Sequence, residues 1–258
     1  MRIADELLLL AIHPAGGRPV IGAAKLDLAL AGAILSELVV SGRVRLDGDR
    51  AHPAVPDAGP PAPLPPHVPF PPNAPSAVPL LESVSFGDAG SPGGPVTSPR
   101  DPALDEAFTR IVRAPGARAH RLVADLSGAT LRLRLRNALI GQGILAEEEQ
   151  RILGVLRSSS HPEMNPVPRR EILARLDAAL AGADFDNTVP GRRTASLLEI
   201  AHACDLTRVL FAHVVDLERR VAAVTAGGWA GPAVRRAITR MQSDGGAPFV
   251  ADTTAGPS

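Results

Sequence analysis

The chain has 258 residues, with 27 Lys plus Arg against 27 Asp plus Glu, so its formal net charge is zero, which argues against a nucleic-acid binder carrying a broad basic field. Apolar residues at 45% suffice for a globular core, whereas aromatics at 3%, with no Tyr and one Trp, supply few rings for stacking on bases. The single Cys, Cys204, excludes an internal disulfide framework and fits a reducing compartment.

Taken in chain order, Ala4 to Ile12 reads as a short apolar helix that stops before Pro14 and the pair Gly16-Gly17. Leu26 to Val40 reads as a longer helix, with Leu26, Leu30, Ala33, Ile34 and Leu38 recurring on one face and Lys25, Asp27, Ser36 and Glu37 on the other. Ser41-Gly42 ends it. Arg43-Val44-Arg45-Leu46 then alternates like a strand before the turn signal Asp47-Gly48-Asp49. Residues 51–100 hold 15 of the 26 prolines, so 51–99 is expected to be a disordered or polyproline-II-like insertion. Helices are expected over Pro102–Val112, Leu131–Gln142, Pro168–Ala181, Arg193–Ala203, Asp205–Thr225 and Pro232–Met241, with Asp101 and Gly231 as N-caps. Between the second and third of these, Ile144-Leu145 and Arg151–Leu156 flank the acidic run Glu147-Glu148-Glu149, which reads as a hairpin turn. Residues 242–258 read as a disordered tail. The expected fold is therefore mainly α, one helical domain built from 1–50 and 100–241, with short β-hairpins and a Pro-rich insertion.

No apolar run reaches the roughly 20 residues that span a bilayer. Asp5 and Glu6 near the N-terminus do not suit a signal peptide. These features predict a cytoplasmic protein whose membrane contact is peripheral.

Enzyme signatures are missing. There is no Gly-x-Ser-x-Gly elbow and no Gly-x-x-x-x-Gly-Lys loop, and the one Lys, Lys25, is not near a Gly-rich phosphate loop. His202 and Cys204, two apart on a helix, face different sides, and His213 lies eleven residues beyond His202, so one metal ion does not join them. No catalytic residue, metal or cofactor is expected. The notable chemistry is basic. Arg100 to Ile140 holds eight Arg and four acids, a local excess of four positive charges, densest at Leu131-Arg132-Leu133-Arg134-Leu135-Arg136. As a helix this segment puts Leu131, Leu135, Ala138 and Leu139 on one face and brings Arg132 and Arg136 together. Arg grips phosphate bidentately, but three near an anionic surface contribute only about 3 kcal/mol. A solvated helix face accounts for the same pattern.

Six strings in order and spacing resemble the Golgi phosphoprotein 3 (GPP34) family: Ala4-Asp5-Glu6-Leu7-Leu8-Leu9-Leu10; Leu30-Ala31-Gly32-Ala33-Ile34-Leu35-Ser36-Glu37-Leu38 into Ser41-Gly42-Arg43-Val44; Leu104-Asp105-Glu106-Ala107; Leu135-Arg136-Asn137-Ala138-Leu139 into Gly143-Ile144-Leu145; Ser160-His161-Pro162; and Ile200-Ala201-His202-Ala203-Cys204-Asp205-Leu206. The preference for Arg over Lys resembles bacterial, actinobacterial-type members. The resemblance implies a helical domain without enzyme activity that binds phosphatidylinositol 4-phosphate on the cytoplasmic face of a membrane. It also implies partners among the cytosolic tails of membrane proteins. The family's lipid pocket uses a Trp and an Arg, at positions held here by Gly22 and Ala31, and two later Arg, at positions held by Ala129 and Arg132. By resemblance the headgroup-binding residues are Arg132, with Arg134 and Arg136 beside it, and Lys25 near the missing Trp. A family hairpin for self-association corresponds to Arg151, Leu153, Val155 and His161, implying a homo-oligomer. Two other readings stand beside this one: a winged-helix-like DNA-binding protein, from the helix–Gly–hairpin unit that occurs twice, and a protein-interaction scaffold without a lipid role.

Overall fold

A computed structural model describes residues 1–54, 101–152, 156–182 and 188–244. Met1–Ala54 and the chain from Pro102 onward form one unit. Its helices are α1 (Ile3–Ala11), α2 (Ala23–Val40), α3 (Pro102–Arg113), α4 (Ala119–Leu126), α5 (Ala129–Gly141), α6 (Val167–Leu180), α7 (Val189–Ala203), α8 (Leu206–Leu210), α9 (Leu217–Val224) and α10 (Ala230–Asp244). The strands are β1 (Val44–Asp47), β2 (Arg50–Pro53), β3 (Ala117–Arg118), β4 (Glu148–Ile152) and β5 (Leu156–Ser160). The protein is mainly α, as its periodicity predicts.

The core is built around α2. Every residue from Leu28 to Leu38 is buried, as is Leu26, because α1, α7 and α10 with α3, α4 and α5 surround the helix. A helix this apolar on all sides is stable only inside a domain. Gly32 sets how closely α10 approaches: a Cβ there would lie 2.4 Å from Val234 Cγ2. Ser36 and Glu37, expected on an exposed face of α2, are buried instead. Glu37 is put to structural use. Its Oε2 accepts the Ile3 N–H at 3.0 Å, supplying one of the bonds the α1 N-terminus lacks, and pairs with Arg193 at 2.9 Å.

β1 and β2 form the hairpin read from the sequence, with Asp47 opposite Arg50 and Gly48 at φ 58° in the turn. Two features were not foreseen. β3 joins as a third strand, pairing Arg50 with Arg118, and leads directly into α4. Ala51–Pro53, assigned from the sequence to the Pro-rich insertion, belong to β2, and Gln242, Ser243 and Asp244, assigned to the tail, complete α10. Residues 55–99 and 245–258 lie outside the described residues. The second hairpin is also shifted. Glu148 and Glu149 lie in β4, paired with Ser160 and Ser159, so the acidic run opens the strand rather than forming its turn.

The single helix expected over Asp205–Thr225 is two. Phe211 is buried and ends α8, Val215 is 76% exposed, and Asp216 takes φ 57° before α9. The adjacent β-branched Val214 and Val215 are weak helix formers, and burying Phe211 outweighs continuing the helix. α4 was missed because eight residues between Pro115-Gly116 and Ser127-Gly128 are too short for periodicity to register.

Candidate functional site

The Arg-rich helix α5 packs Leu135 and Leu139 inward, as its spacing predicts, and its N-terminus meets that of α2. Arg132 makes the join: its guanidinium donates to Asp27 Oδ1 at 2.7 Å and to the Ala23 carbonyl at 3.2 Å. Neither α2, preceded by Gly22, nor α5, preceded by Gly128, has a side-chain cap. Backbone N–H groups at such ends favour anions. A cavity of 570 Å³ reaches both ends, at Ala24 and Asp27 of α2 and at Gly128 before α5, and is walled mainly by α4 and α10 through His120, Arg121, Asp125, Arg240 and Asp244; Arg132 does not line it. A smaller one of 340 Å³ adjoins Gly22, Lys25, Cys204 and Asp205.

The four cations singled out in the sequence are not equivalent. Lys25 is paired with Asp205 at 2.7 Å, and this contact, a hydrogen bond above all, holds the Asp205 carboxyl below the usual range. Arg132 is paired with Asp27, the two side chains 24% and 16% exposed. Burial pushes the Asp27 carboxyl up despite its partner. Arg134 points away, to Glu106 of α3 at 2.8 Å, where Arg110 joins it and the two guanidiniums depress that carboxyl. Arg136 buries its Nε without a hydrogen-bond partner, and its charge helps lower the His161 pKa, after burial itself. Arg132 and Lys25 thus stand at the α2 end, and Arg134 and Arg136 do not join them.

Of the hairpin residues, Leu153 and Val155 lie outside the described residues. Arg151 sits in β4 opposite Arg157. His161 is buried at the base of the hairpin, where its backbone N–H bonds the Gly17 carbonyl. That approach requires glycine at 17: φ is 60° and a Cβ would fall 2.2 Å from the His161 nitrogen. Ala31 is sealed in the core, so no side chain of ordinary size at that position reaches an open site. His202, Cys204 and His213 do not converge. His202 contacts Thr207 and Glu218, His213 is exposed, and the Cys204 thiol is buried and pushed up to about 12 by that burial. Among the described residues no cluster of three His, Cys, Asp or Glu could hold a metal.

A larger cleft of 970 Å³ escaped sequence reasoning altogether. It runs between the start of α4 and helices α7, α9 and α10, and Arg118 and His120 lie about 80 to 120 positions from its other residues, so no local pattern signals it. Its floor holds Glu199 of α7, 8% exposed, whose carboxylate accepts the backbone N–H groups of Ala230 and Gly231. The carboxylate, not Gly231, therefore caps α10. Gly228 and Gly231 make room, because a Cβ at either would fall within 2.6 Å of the Glu199 side chain. Desolvation nevertheless pushes Glu199 up to about 7. His120, the second residue of α4, is 5% exposed, and neither ring nitrogen has a hydrogen-bond partner. An orphaned buried polar group of this kind costs about 1–3 kcal/mol.

Residues 3–241 match the family model for Golgi phosphoprotein 3 (GPP34). The chain belongs to the GPP34 family. The match takes in every helix and strand of the folded unit up to Met241, so the site at the α2 and α5 ends lies within the part that defines membership. Among curated proteins, none matches this GPP34 member. Among its described residues, no helix is long and apolar enough to cross a membrane.

Proposed function

We propose that this GPP34 protein is a peripheral membrane adaptor, not an enzyme, that binds an anionic phospholipid headgroup at the junction of α2 and α5. The observation that carries the reading is Arg132, which ties the N-termini of α2 and α5, both without side-chain caps, through Asp27 and the Ala23 carbonyl, beside a 570 Å³ cavity that Asp27 and Gly128 help to line. Family membership supports the same class, and by resemblance the lipid is phosphatidylinositol 4-phosphate on a cytoplasmic membrane face. Binding proceeds by exchange: the headgroup phosphate takes the place of Asp27 on Arg132. Asp27 suits that exchange, because burial already disfavours its charged form. Lys25 is released from the exposed Asp205 in the same way. Such pair exchange gives modest affinity per protomer, so several copies on one surface are required.

The hairpin supplies a route to several copies. Among the described residues β4 and β5 pair only with each other, and an isolated two-stranded sheet is marginal in water unless its edges or faces are covered. We infer that it mediates self-association, and that the assembled adaptor captures cytosolic tails of membrane proteins.

Liposome co-sedimentation at physiological salt tests the lipid reading, comparing neutral, phosphatidylglycerol, phosphatidylinositol and phosphatidylinositol 4-phosphate vesicles. Selective pelleting with one anionic lipid, lost in Arg132→Ala and weakened in Lys25→Ala, is the expected result. Equal pelleting with every anionic lipid reduces the reading to general charge attraction, and no pelleting with any of them overturns it.

A further inference from the structure

The cleft around His120 has the makings of a second ligand site, adjoining the 570 Å³ cavity at the α2 end and not lined by Arg132. Its two walls differ in charge. On one side stand Arg118 at the start of α4 and Arg236 and Arg240 of α10, one helical turn apart on the same face. Arg236 and Arg240 are exposed and have no ion-pair partner among the described residues, while Arg118 reaches Asp49 only at 3.8 Å. On the other side stand Glu199, His202 and Glu218, with Arg235 of α10 nearby, and Glu218 is paired with Arg208 and His202 at 2.9 Å each. Apolar surface from Val221, Ala222 and Pro232 lies between.

His120 is the observation that points to a ligand. The ring lines this cleft and also the neighbouring 570 Å³ cavity, and Arg240 is shared in the same way. Both ring nitrogens are shielded from solvent yet bonded to nothing. Burial above all, then the charges of Arg240, Arg118 and Arg121, lowers the His120 pKa, and Asp49 opposes them least. A neutral imidazole retains one N–H, and here that donor sits among cations, where an anionic oxygen would satisfy it.

We propose that this cleft binds a phosphomonoester carried on a hydroxylated group, its phosphate held by His120, Arg118 and Arg240 and its hydroxyls by the carboxylates of Glu199 and Glu218. The space suits that class. A cavity of 970 Å³ holds a molecule of cofactor size and is far larger than an inorganic anion. The carboxyl groups of Glu199 and Glu218 accept hydroxyl donors. Two sources offer this chemistry, a soluble sugar phosphate and a phosphorylated polyol at the head of a lipid.

Isothermal titration calorimetry of the full chain with glucose 6-phosphate, inorganic phosphate and glucose tests the soluble source. Pelleting with phosphatidylinositol 4-phosphate vesicles tests the lipid source. Arg240→Gln and Arg236→Gln are exposed changes that leave the fold intact, and His120→Gln is checked by its denaturation curve. The expected result is saturable binding of glucose 6-phosphate, tighter than phosphate, weakened about 10-fold or more by Arg240→Gln and unchanged by Arg132→Ala. That last control separates the cleft from the α2–α5 junction. Silence with soluble ligands, but pelleting that Arg240→Gln abolishes and Arg132→Ala spares, also supports the site and names the lipid as its source. Glucose binding as well as glucose 6-phosphate overturns the proposal. So does the absence of any effect of Arg240→Gln and His120→Gln in both arms.

Discussion

At the α2–α5 junction and along α5, Lys25, Arg132 and Arg134 each hold a carboxylate of their own chain at 2.7–2.8 Å, whereas on α10 Arg236 and Arg240 face an open cleft beside an imidazole with no partner. The first region is the one the sequence advertises, with three Arg in six residues. The second is spread over residues 118 to 240 and draws no attention along the chain. Density of charge in a sequence therefore differs from charge available to a ligand. An Arg that ties two helices together contributes to the fold, and a ligand reaches it only by displacing its partner. An Arg with no partner on a ligand-sized cleft costs the ligand only its own desolvation.

That contrast predicts a graded series of stability effects. Arg169 marks one extreme. It is buried, pairs with Glu163 at 2.9 Å and donates to the carbonyls of Leu9 and Ile12. Arg169→Ala leaves Glu163 buried and uncompensated, so a loss of about 3–5 kcal/mol is expected in urea unfolding. A loss below 1 kcal/mol would show that buried pairing is not what holds α6 to α1.

Glu199 gives the next largest effect, and it is pH-dependent. Its carboxyl is raised from 4.5 to about 7, so the folded state holds a proton that the unfolded chain releases. Its contribution is fully present below pH 4.5 and is lost as pH rises toward 7, in total on the order of 3 kcal/mol. His120 and His161, both lowered from 6.5 first by burial, act with the opposite sign, contributing stability above pH 6.5 that is lost as pH falls. Comparing Glu199→Gln with the parent isolates the carboxylate: the variant's advantage should grow from pH 4.5 to 7 and then level off. A pH-independent difference would rule out a raised carboxyl.

Arg132→Ala removes a half-buried pair and should cost about 1–2 kcal/mol, together with vesicle binding. Arg240→Gln should change stability by no more than about 0.5 kcal/mol while weakening phosphomonoester binding about 10-fold. Were Arg240→Gln the more destabilising of the two, the contrast between the regions would be reversed.

Much of the fold was legible along the chain. Breakers such as Pro14, Gly16-Gly17 and Ser41-Gly42 and the spacing of apolar residues on α1, α2, α3, α6 and α10 mark helices to within a few residues, because caps and periodicity are local. The failures have local causes too. β3 and α4 are too short to carry a pattern, and Phe211 interrupts a run of good helix formers for the sake of its own burial. Arg132 was legible as a candidate, by resemblance and by charge, but its partner Asp27 was legible only as a residue on the polar face of α2. The His120 cleft was invisible, since His120 in sequence is a lone histidine in an Arg-rich stretch.

By itself the sequence determined the helical class, the family and the two hairpins, because helix propensity, apolar spacing and turn residues act within a few positions of one another. Only the tertiary structure decided that Ser36 and Glu37 face inward, that Arg132 and Lys25 are already paired, and that Glu199 caps α10 from α7. Burial and pairing depend on which elements meet across the core. Those meetings arise from the packing of all the helices around α2, which no single segment of the chain encodes.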